Sequence, residues 1–488
     1  MLQLIESVID SFRKCFSRVA CFKWFVISVC ALMLRGDRLG VTSFIRDLDL
    51  DHKCYEHIIH FFRSGAYRLS ELRKRWYEII ASMAPIYRVN GRAVLIGDGV
   101  KQGKEALRMP GVKKMVQESE TCSKPEYIHG HLFGAVGIVL SNACKRFCLP
   151  MKVNLQDGLK AISSWVEQSE FTDSSSKSHV EQMVESAFEV ARKIGRSFLV
   201  LDRYFLSRPA LELFDKMNGE SENDGNSLIQ IVTKAKCNCS AYRHPRNKKG
   251  CKGRPRKKGN TVKLLSLFRQ KRFFREAKVQ MYGEEKTISY YCLNLLWGQK
   301  LYKELRFVLV QYDGRQSILV STDTSLDPLT IIEIYAVRFG IEELFREFKQ
   351  QVGGFCYHFW SKYLPKLNHF AKKDSPAQLD QVKDAHSRKK ILETIQAIET
   401  FVFCSSVAMG ILQLIALDKT YQEELNKARY LRTRSNATPS EATVMYYLRK
   451  RAFFTLLCSP DSFVTQFIRE KQTGLARDKS AKSTAKSA

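Results

Sequence analysis

The sequence predicts an α/β protein with a mixed sheet at its centre and helical regions at both ends. Short runs of β-branched and aromatic residues, bounded by Gly, Asn and Pro, recur between residues 92 and 205 and are typical of strands. A second strand-rich stretch covers 207–325. Helical periodicity dominates before residue 88 and beyond residue 326, and this alternation indicates helices packed in layers on a sheet.

The composition indicates a folded protein with a polyanionic partner. A chain of 488 residues with 44% hydrophobic content can bury a large core, and its length predicts about two to four domains. It has 79 Lys and Arg against 50 Asp and Glu, a formal net charge of +29. A surplus of this size favours nucleic acid as the partner, with a membrane surface second.

Neither secretion nor membrane insertion is predicted. The apolar run at 25–34 is shorter than the roughly 18 residues that a membrane-spanning helix needs. Glu6 and Asp10 precede this run, where a signal peptide is expected to be cationic. The 14 cysteines are scattered without a compact framework, which is typical of reduced intracellular proteins. We therefore expect a cytoplasmic protein that does not contact a membrane.

Residues 1–88 are predicted to form a helical N-terminal domain, because apolar residues recur with helical spacing and Gly and Pro are rare. Arg35, Arg38 and Arg46 make contact with DNA possible. The alternative is a solvated helix face, which scattered cations fit equally well.

Residues 89–206 are predicted to form an α/β layer that is the first part of a larger core. A helical pattern at 180–195 precedes the last strand of this layer. The predicted strands are RAVLIGDG from residue 92, HLFGAVGIVLSN at 131–142, FCLPMKVNL at 147–155 and SFLVLDRYF at 197–205.

Residues 207–325 are predicted to form a basic, β-rich insertion. Asp313 and Gly314 lie between two alternating runs and predict a tight hairpin. From Lys234 to Lys278 the chain contains 17 Lys or Arg and one acidic residue. This segment therefore contributes much of the positive charge of the protein.

The most cationic part of the insertion predicts contact with DNA phosphates, which release counterions when cations neutralise them. The residues expected to make this contact are Lys248, Lys249, Arg256, Lys257 and Lys258. The alternatives are a solvated loop and a signal that another protein recognises. Cys237, Cys239, His244 and Cys251 lie in the same stretch without paired CxxC spacing, so a metal site and a plain cationic loop are both open interpretations.

The chain after residue 325 is predicted to return to the core and to end in helices. Residues 326–370 contain a helix at 335–349 and complete the core. Residues 371–470 are predicted to be helical, with a long buried helix at 386–417, and form a candidate dimerisation region. The basic tail at 471–488 has low complexity and is expected to be disordered.

Two predicted strands each contain an apolar run that ends in a single Asp: AVLIGD ends at Asp98 and SFLVLD ends at Asp202. An ionised carboxylate at the end of a buried strand is costly unless a partner balances its charge, and a bound cation is one such partner. Ligands of α/β sheets also tend to bind at strand ends. The alternative for either residue is that it caps the next turn.

The helix predicted at 335–349 has a polar stripe beside its apolar face. Tyr335, Arg338, Glu342 and Lys349 fall within about a sixth of its circumference. Glu342 would add a third carboxylate to the two at the strand ends. Three carboxylates form an all-oxygen site that suits Mg²⁺ or Mn²⁺, and a pair of such ions can cleave and join phosphodiesters.

The polar stripe also carries a resemblance to a known family. The spacing Tyr335-x2-Arg338-x3-Glu342-x6-Lys349 resembles the Y-R-E-K signature of bacterial insertion-sequence DDE transposases, in the Insertion Sequence Four group. Together with the acidic motifs, the resemblance covers roughly residues 15–420.

LIGDG around Asp98 and LVLDR around Asp202 resemble the two earlier acidic motifs of that family. The 140 residues from Asp202 to Glu342 exceed what a plain ribonuclease-H-like core needs, and similar family members have a β-rich insertion there. The resemblance therefore implies a ribonuclease-H-like catalytic core that is interrupted by a β-rich insertion and has helical N- and C-terminal regions.

The resemblance also implies a role for each matching residue. The catalytic residues, which would bind two Mg²⁺ (or Mn²⁺) ions, are Asp98, Asp202 and Glu342. The residues that would contact transposon-end DNA are Tyr335, Arg338, Lys349 and Arg203. Trp297 of the insertion is a candidate for stacking on a base flipped out of the DNA. A buried core Trp is the alternative interpretation.

By this resemblance the protein would be a cut-and-paste DNA transposase associated with the nucleoid. It would bind double-stranded DNA at the terminal inverted repeats of its element and at the target, as a homodimer in the synaptic complex. One alternative is a metal-dependent nuclease of the same fold, which would cut without joining. The other is a catalytically inactive, domesticated DNA-binding protein, and the presence of all three acids counts against it.

Overall fold

The computed structural model shows a mixed α/β protein built around a large mixed sheet, which confirms the predicted α/β class. The residues described are 1–117, 126–142, 144–167, 169–171, 177–221, 227–245, 255–281, 283–370, 376–428 and 437–473. Lys248, Lys249 and Cys251 of the insertion lie outside the described residues, as does the tail from 474 to 488.

The strands pair into a single sheet. In chain order they are β1 (Arg88–Val89), β2 (Arg92–Gly103), β3 (Lys113–Val116), β4 (Tyr127–Ser141), β5 (Arg146–Leu155), β6 (Ser197–Leu201), β7 (Ile229–Lys234), β8 (Ser240–Tyr242), β9 (Thr261–Lys263), β10 (Arg275–Met281), β11 (Glu284–Trp297), β12 (Lys303–Tyr312) and β13 (Arg315–Ser321). The main order across the sheet is β3-β4-β2-β6-β7-β13-β12-β11-β8-β9. β1 pairs with β2, β5 with β4, and β10 with β11.

Helices precede, interrupt and follow the strands. In chain order they are α1 (Leu2–Asp10), α2 (Val19–Leu34), α3 (Val41–Asp47), α4 (Cys54–Phe62), α5 (Leu69–Met83), α6 (His179–Ile194), α7 (Arg208–Ser221), α8 (Pro328–Ala336), α9 (Phe339–Glu347), α10 (Ala385–Leu417), α11 (Lys419–Ala428), α12 (Glu441–Cys458) and α13 (Phe463–Arg469). The first five lie in the range predicted to be helical, and α10 lies where the long buried helix was predicted.

Five strands form the centre of the sheet in the order β5-β4-β2-β6-β7. β4 is antiparallel to β5 and β2, whereas β6 is parallel to β2 and β7. Gly97 of β2 lies opposite Leu201 of β6. Because the two strands run in the same direction, the next residues, Asp98 and Asp202, lie at the same level.

The sequence predicted a strand end at Asp98, but β2 continues past this residue. It continues to Gly103, which pairs with Gly130 of the long strand β4. The parallel pairing with β6 does stop before Asp98, since the last pair is Gly97 with Leu201. The aspartate therefore lies where β2 loses one of its two neighbours.

The β-rich insertion is part of the same sheet as the core. β7 falls within the predicted insertion range of 207–325, yet it pairs in parallel with β6 and belongs to the central strands. β13 is antiparallel to β7, and β12 and β11 follow in turn. Composition could not separate β7 from the later strands, because all of them contain short apolar runs.

The hairpin predicted between the last two strands of the insertion is confirmed. Tyr312 of β12 pairs with Arg315 of β13. The two residues between them, Asp313 and Gly314, have φ of 47° and 72°. Positive φ at both central residues is what a two-residue type I′ turn requires.

Helices from both ends of the chain pack together and against the sheet. α10 contacts α2, α5, α12 and β5, and α2 also contacts α12. The Trp76 Nε1–H of α5 donates a hydrogen bond to the carbonyl of Pro150 in β5 at 3.0 Å. Near the ends of the chain, the Ser462 hydroxyl donates to Glu6 Oε1 at 2.6 Å. The terminal helices and the sheet therefore share one hydrophobic core.

α10 contains an apolar stretch that is longer than the run at 25–34. By length and composition α10 is long enough to cross a membrane. All of its most apolar 18-residue stretch is nevertheless buried inside the protein, where it packs against helices from both ends of the chain.

Candidate active site

Asp98 is held beside the boundary between β2 and β6. At the preceding residue, Gly97, a Cβ atom would lie 2.7 Å from Leu201 and 2.9 Å from Met183, so glycine allows the two strands to pack closely under α6. Asp98 Oδ1 accepts a hydrogen bond from the Gly99 backbone N–H at 2.8 Å. The side chain is 25% exposed and can therefore be reached by a ligand.

Asp202 is the first residue after β6 and precedes a short 3-10 turn at Arg203–Phe205. Its carbonyl accepts a hydrogen bond from the Thr233 hydroxyl of β7 at 3.1 Å, which fixes the main chain. Within the described part of the chain, the carboxylate makes no capping bond to the turn. Capping therefore does not account for an acid at this position.

The segment predicted as one helix at 335–349 is two helices followed by a π-helical turn at Phe348–Val352. Hydrogen bonds between residues three apart, such as Arg338 N–H to the Tyr335 carbonyl at 3.1 Å, tighten the junction between α8 and α9. The prediction of a single regular helix is therefore wrong. Periodicity could not show the break, because Arg338 keeps right-handed helical dihedral angles.

Arg338 connects two of the predicted catalytic acids. Its Nη1 lies 2.9 Å from Asp98 Oδ2, and its Nη2 lies 2.7 Å from Glu342 Oε1. Arg338 is 18% exposed and Glu342 is 48% exposed, so the contact with Asp98 is the better shielded from water. Three residues that the sequence pattern selected are thus in direct contact.

Asp202 acts on the same cluster through its charge. Burial lowers the pKa of Arg338, but Asp98, Tyr335, Asp202 and Glu342 raise it, and the resulting pKa lies above its ordinary value. Burial raises the pKa of Asp98; Arg338 opposes this rise and Asp202 adds to it. Arg338 therefore contacts two of the acids directly, and the third is near enough for its charge to raise the pKa of Arg338.

Lys349 and Tyr335 border the acidic cluster. Lys349 Nζ donates a hydrogen bond to the Lys101 carbonyl of β2 at 3.1 Å, three residues beyond Asp98 in the sequence. Tyr335 is half-buried in α8 and is close enough to Arg338 to raise its pKa. The predicted polar stripe therefore faces β2.

The fit of a divalent metal ion to this cluster depends on Arg338. Within the described residues, no three His, Cys, Asp or Glu side chains are arranged to hold a metal ion. In the acidic cluster the guanidinium lies between Asp98 and Glu342. The donor set itself fits Mg²⁺ or Mn²⁺, which prefer carboxylate oxygens, and a bound cation would balance the same negative charge that Arg338 balances.

Trp297 lies across the sheet from the acids. Successive registers through β7, β13 and β12 place Leu201 of β6 level with Leu293 of β11. β11 runs opposite to β6, so Trp297 and Asp202 lie on opposite sides of that level, about 19 Å apart across the strands and about 16 Å along them. The half-buried indole donates its Nε1–H to Cys239 Sγ at 3.2 Å. This geometry favours the structural interpretation of Trp297.

The described cations of the insertion differ in their surroundings. Arg256 and Lys257 are exposed. Lys258 Nζ lies 4.1 Å from the ring centroid of Tyr242, so a cation–π contact holds it against the protein. Arg203, the remaining predicted DNA contact, is exposed beside the acidic cluster.

The described members of the cysteine stretch have partners other than a metal. Cys239 contacts Trp297, and His244 Nε2 lies 3.0 Å from Glu304 Oε1. Cys237 is exposed. Since Cys251 lies outside the described residues, the metal site and the plain cationic loop both stay predictions.

Tyr204 is a site residue that the sequence analysis did not select. It lies two residues after Asp202 and is 54% exposed. Its ring stacks on His179 of α6, with centroids 5.0 Å apart. The available signal was its position just beyond the carboxyl end of a parallel strand, where α/β proteins place ligand contacts.

No family model matches the chain, and no curated protein matches it. A solved structure that is similar to it is the NurA nuclease from Sulfolobus solfataricus, with 11% sequence identity and a TM-score of 0.21, covering 59% of this chain and 86% of that chain. A likeness at this TM-score carries no argument about activity. The geometry of the acidic cluster must therefore support any functional proposal.

Proposed function

We propose that the protein is a DDE-type DNA transposase that cuts and joins phosphodiesters at the ends of a transposable element. The observation that carries this proposal is that Arg338 pairs with Asp98 and Glu342, while Asp202 lies level with Asp98 on the adjacent parallel strand. Two of the acids come from adjacent parallel strands, and the third comes from a helix 140 residues further along the chain. Acids gathered from distant segments despite their mutual repulsion are typical of a functional site.

The proposed core fold is ribonuclease-H-like. The antiparallel unit β5-β4-β2 adjoins the parallel pair β6-β7, and the two aspartates belong to the adjacent strands β2 and β6. The later strands extend the sheet beyond β7 before the chain returns to the centre in α8 and α9. This arrangement supports a catalytic core interrupted by a β-rich insertion.

Asp98, Asp202 and Glu342 would hold two Mg²⁺ (or Mn²⁺) ions. When bound, such ions activate a water or a 3′-hydroxyl and stabilise the leaving oxygen. Arg338 holds Asp98 and Glu342 in place by direct ion pairs. In the proposed DNA complex its guanidinium donates instead to a phosphate, for which its planar fork of N–H groups is suited.

The remaining signature residues would position the DNA backbone. Lys349 is anchored to β2 through the Lys101 carbonyl, which places its ammonium beside the strand that carries Asp98. Arg203 is exposed next to Asp202. Such contacts fix orientation without reading bases. The net charge of +29 supports double-stranded DNA as the substrate, bound in the proposal by a homodimer at the nucleoid.

A second candidate is a DNA-binding protein that keeps this fold without catalysis. The ion pairs of Arg338 favour it, because they already balance the charge of Asp98 and Glu342. The two candidates differ in one property: the transposase must exchange the guanidinium for metal ions, and the inactive protein need not.

The proposal is tested with the full-length protein and a DNA fragment that carries its gene with both flanks, together with a target plasmid. In Mg²⁺ the wild type is expected to release 3′-hydroxyl ends and to join them to the plasmid. D98N, D202N and E342Q should lose both activities by about a hundredfold or more, while binding the fragment in EDTA as the wild type does. Glu343, the exposed neighbour of Glu342 in α9, provides the matched control E343Q.

The possible outcomes separate the candidates. Cutting without joining would support a nuclease of the same fold, and binding without cutting would support the inactive DNA-binding protein. Native-rate cleavage by E342Q would overturn the assignment of the acids. Equal losses in E342Q and E343Q would point to a general effect of charge on α9.

A further inference from the structure

An extended segment outside the strands presents a row of polar and aromatic side chains. Residues 355–362 read FCYHFWSK, and their side chains alternate between the interior and the surface. The outward residues that follow half-buried Cys356 are His358, Trp360 and Lys362. Alternation with a period of two places these three on one side of the segment, about 7 Å apart along it.

Contacts with the core fix the shape of this segment. Lys104, which follows β2, donates from Nζ to the carbonyls of Phe355 at 2.5 Å and Tyr357 at 3.0 Å. The buried ring of Phe359 packs on Phe62 of α4, with centroids 5.3 Å apart. The outward row is therefore preformed, and binding there would require little ordering of the protein.

The row forms one wall of a groove of 780 Å³, whose other walls come from α4 and the first turns of α10. The charged residues that line it are the cations Arg18, Arg63, Lys362 and Lys390 and the acids Glu56 and Glu393. Lys390 pairs with Glu393 at 2.9 Å. Positive charge therefore exceeds negative charge in the groove, which suits a polyanionic ligand.

Trp360 and Arg63 give the groove its specific chemistry. Trp360 is 56% exposed, although a side chain of this size is usually covered. Arg63 Nη2 donates to the Trp360 carbonyl at 3.3 Å. An exposed indole face beside a cationic side chain matches the needs of an unpaired base and its phosphate.

We propose that this groove binds single-stranded DNA, with Trp360 stacked on an unpaired base and with Arg63 and Lys362 facing the phosphates. The idea that the single strand comes from a transposon end rests on the proposed transposase function. The ability of the groove to bind single-stranded DNA does not depend on that function. Lys104, which anchors the groove wall, lies six residues beyond Asp98, about 20 Å along an extended chain. The groove wall is therefore attached to the end of the strand that carries Asp98.

The test measures binding of fluorescently labelled (dT)15 to the full-length protein by anisotropy in EDTA, where no cleavage is possible. W360A is expected to bind about fivefold or more weakly than the wild type, since one base–aromatic stack is lost. W360F should recover most of the affinity because it keeps an aromatic face. The matched control is F453A, which removes a 58% exposed ring of α12 outside the groove, and it should bind as the wild type does.

Unchanged (dT)15 binding by W360A would overturn the proposal. The proposal would also be overturned if F453A weakened (dT)15 binding as much as W360A does. The same holds if W360A weakened binding to anionic vesicles or to a poly-glutamate peptide more than it weakened binding to (dT)15. The (dT)15 assay is run in EDTA, so its result does not depend on cleavage. If only the cleavage test fails, the transposase proposal is rejected and the proposed DNA-binding groove stands. If only W360A fails to weaken (dT)15 binding, the groove is rejected and the transposase proposal stands.

Discussion

Arg338 lies between Asp98 and Glu342, and its two terminal nitrogens pair with one acid each. The guanidinium and a divalent ion would satisfy the same carboxylate oxygens, so they compete for the same negative charge. In the proposed function, this single residue would therefore set the balance between a metal-free state held by ion pairs and a metal-bound state. This competition can be measured without any DNA.

R338Q is expected to destabilise the metal-free protein by about 1–3 kcal/mol, because the partly buried Asp98 loses its charged partner. The variant keeps the three acids without a competing cation, so Mg²⁺ should raise its Tm more than it raises the Tm of the wild type. Thermal unfolding in EDTA and in Mg²⁺ measures both effects. R346Q is the control, since Arg346 is an exposed residue of the same helix that pairs with Glu347. Equal Mg²⁺ shifts in the wild type and R338Q would contradict the competition.

The aspartates could be selected from the sequence, but their partner could not. An apolar run that ends in a single acid is visible for both Asp98 and Asp202, and parallel strands bring such positions to one level. The ion pairs of Arg338 depend on the tightened junction between α8 and α9. Because that junction keeps right-handed helical dihedral angles, the sequence pattern predicted the face of the helix and not the contacts made there.

Among the elements, the parallel pair β2 and β6 determines whether two of the acids are aligned. Gly97 makes the close approach possible, since a Cβ there would collide with Leu201 and Met183. Gly99 lies two residues further along β2, where a Cβ would be 3.7 Å from its nearest neighbour. The two glycines lie on the same strand, but only Gly97 is packed too tightly for a Cβ atom, so Gly99 provides a matched control.

G97A is expected to lower the stability by about 1–3 kcal/mol, since an overpacked core must shift to relieve the collision. The colliding atoms are the side-chain ends of Leu201 and Met183, and if their movement spreads to β2, cleavage should also fall because Asp98 and Asp202 lose their alignment. Denaturant unfolding and the cleavage assay measure the two effects. G99A should retain the wild-type stability. A wild-type unfolding midpoint in G97A would show that Leu201 and Met183 yield without strain.

The elements were predicted more completely than their pairing. The strands and the Asp313-Gly314 hairpin follow from alternation and turn residues, which are local properties. β7 was assigned to the insertion because the choice between β6 and β13 as its neighbour depends on contacts between distant segments. In the structure β7 pairs with both, so the core and the insertion have no break in the sheet between them.

For the whole molecule, the excess of positive charge predicts that DNA binding weakens steeply as salt increases. Each phosphate contact on duplex DNA adds about 0.9 to the slope of log K against log salt. Arg256 and Lys257 are exposed cations of the insertion, so R256A/K257A should flatten the slope by about 1.8 if both make such contacts.

The slope is measured on end DNA and on random duplex, and both should change alike because phosphate contacts do not read bases. K74A/K427A is the matched control, since both lysines are exposed and pair with glutamates of their own helices. An unchanged slope in R256A/K257A would remove these two residues from the DNA interface. A change as large in the control would show that only the net charge matters.

The contact between Glu6 and Ser462 joins residues that are 456 positions apart. A ribosome adds about 5–20 residues per second, so α1 is made roughly 20–90 s before the partner of Glu6 exists. The apolar helix α2 waits in the same way for α10 and α12, against which it packs. During synthesis α1 and α2 therefore remain without these C-terminal neighbours, although α2 can already contact α3 and α4. We expect contacts among the N-terminal helices, or chaperones, to cover these apolar surfaces until the last fifth of the protein has left the ribosome.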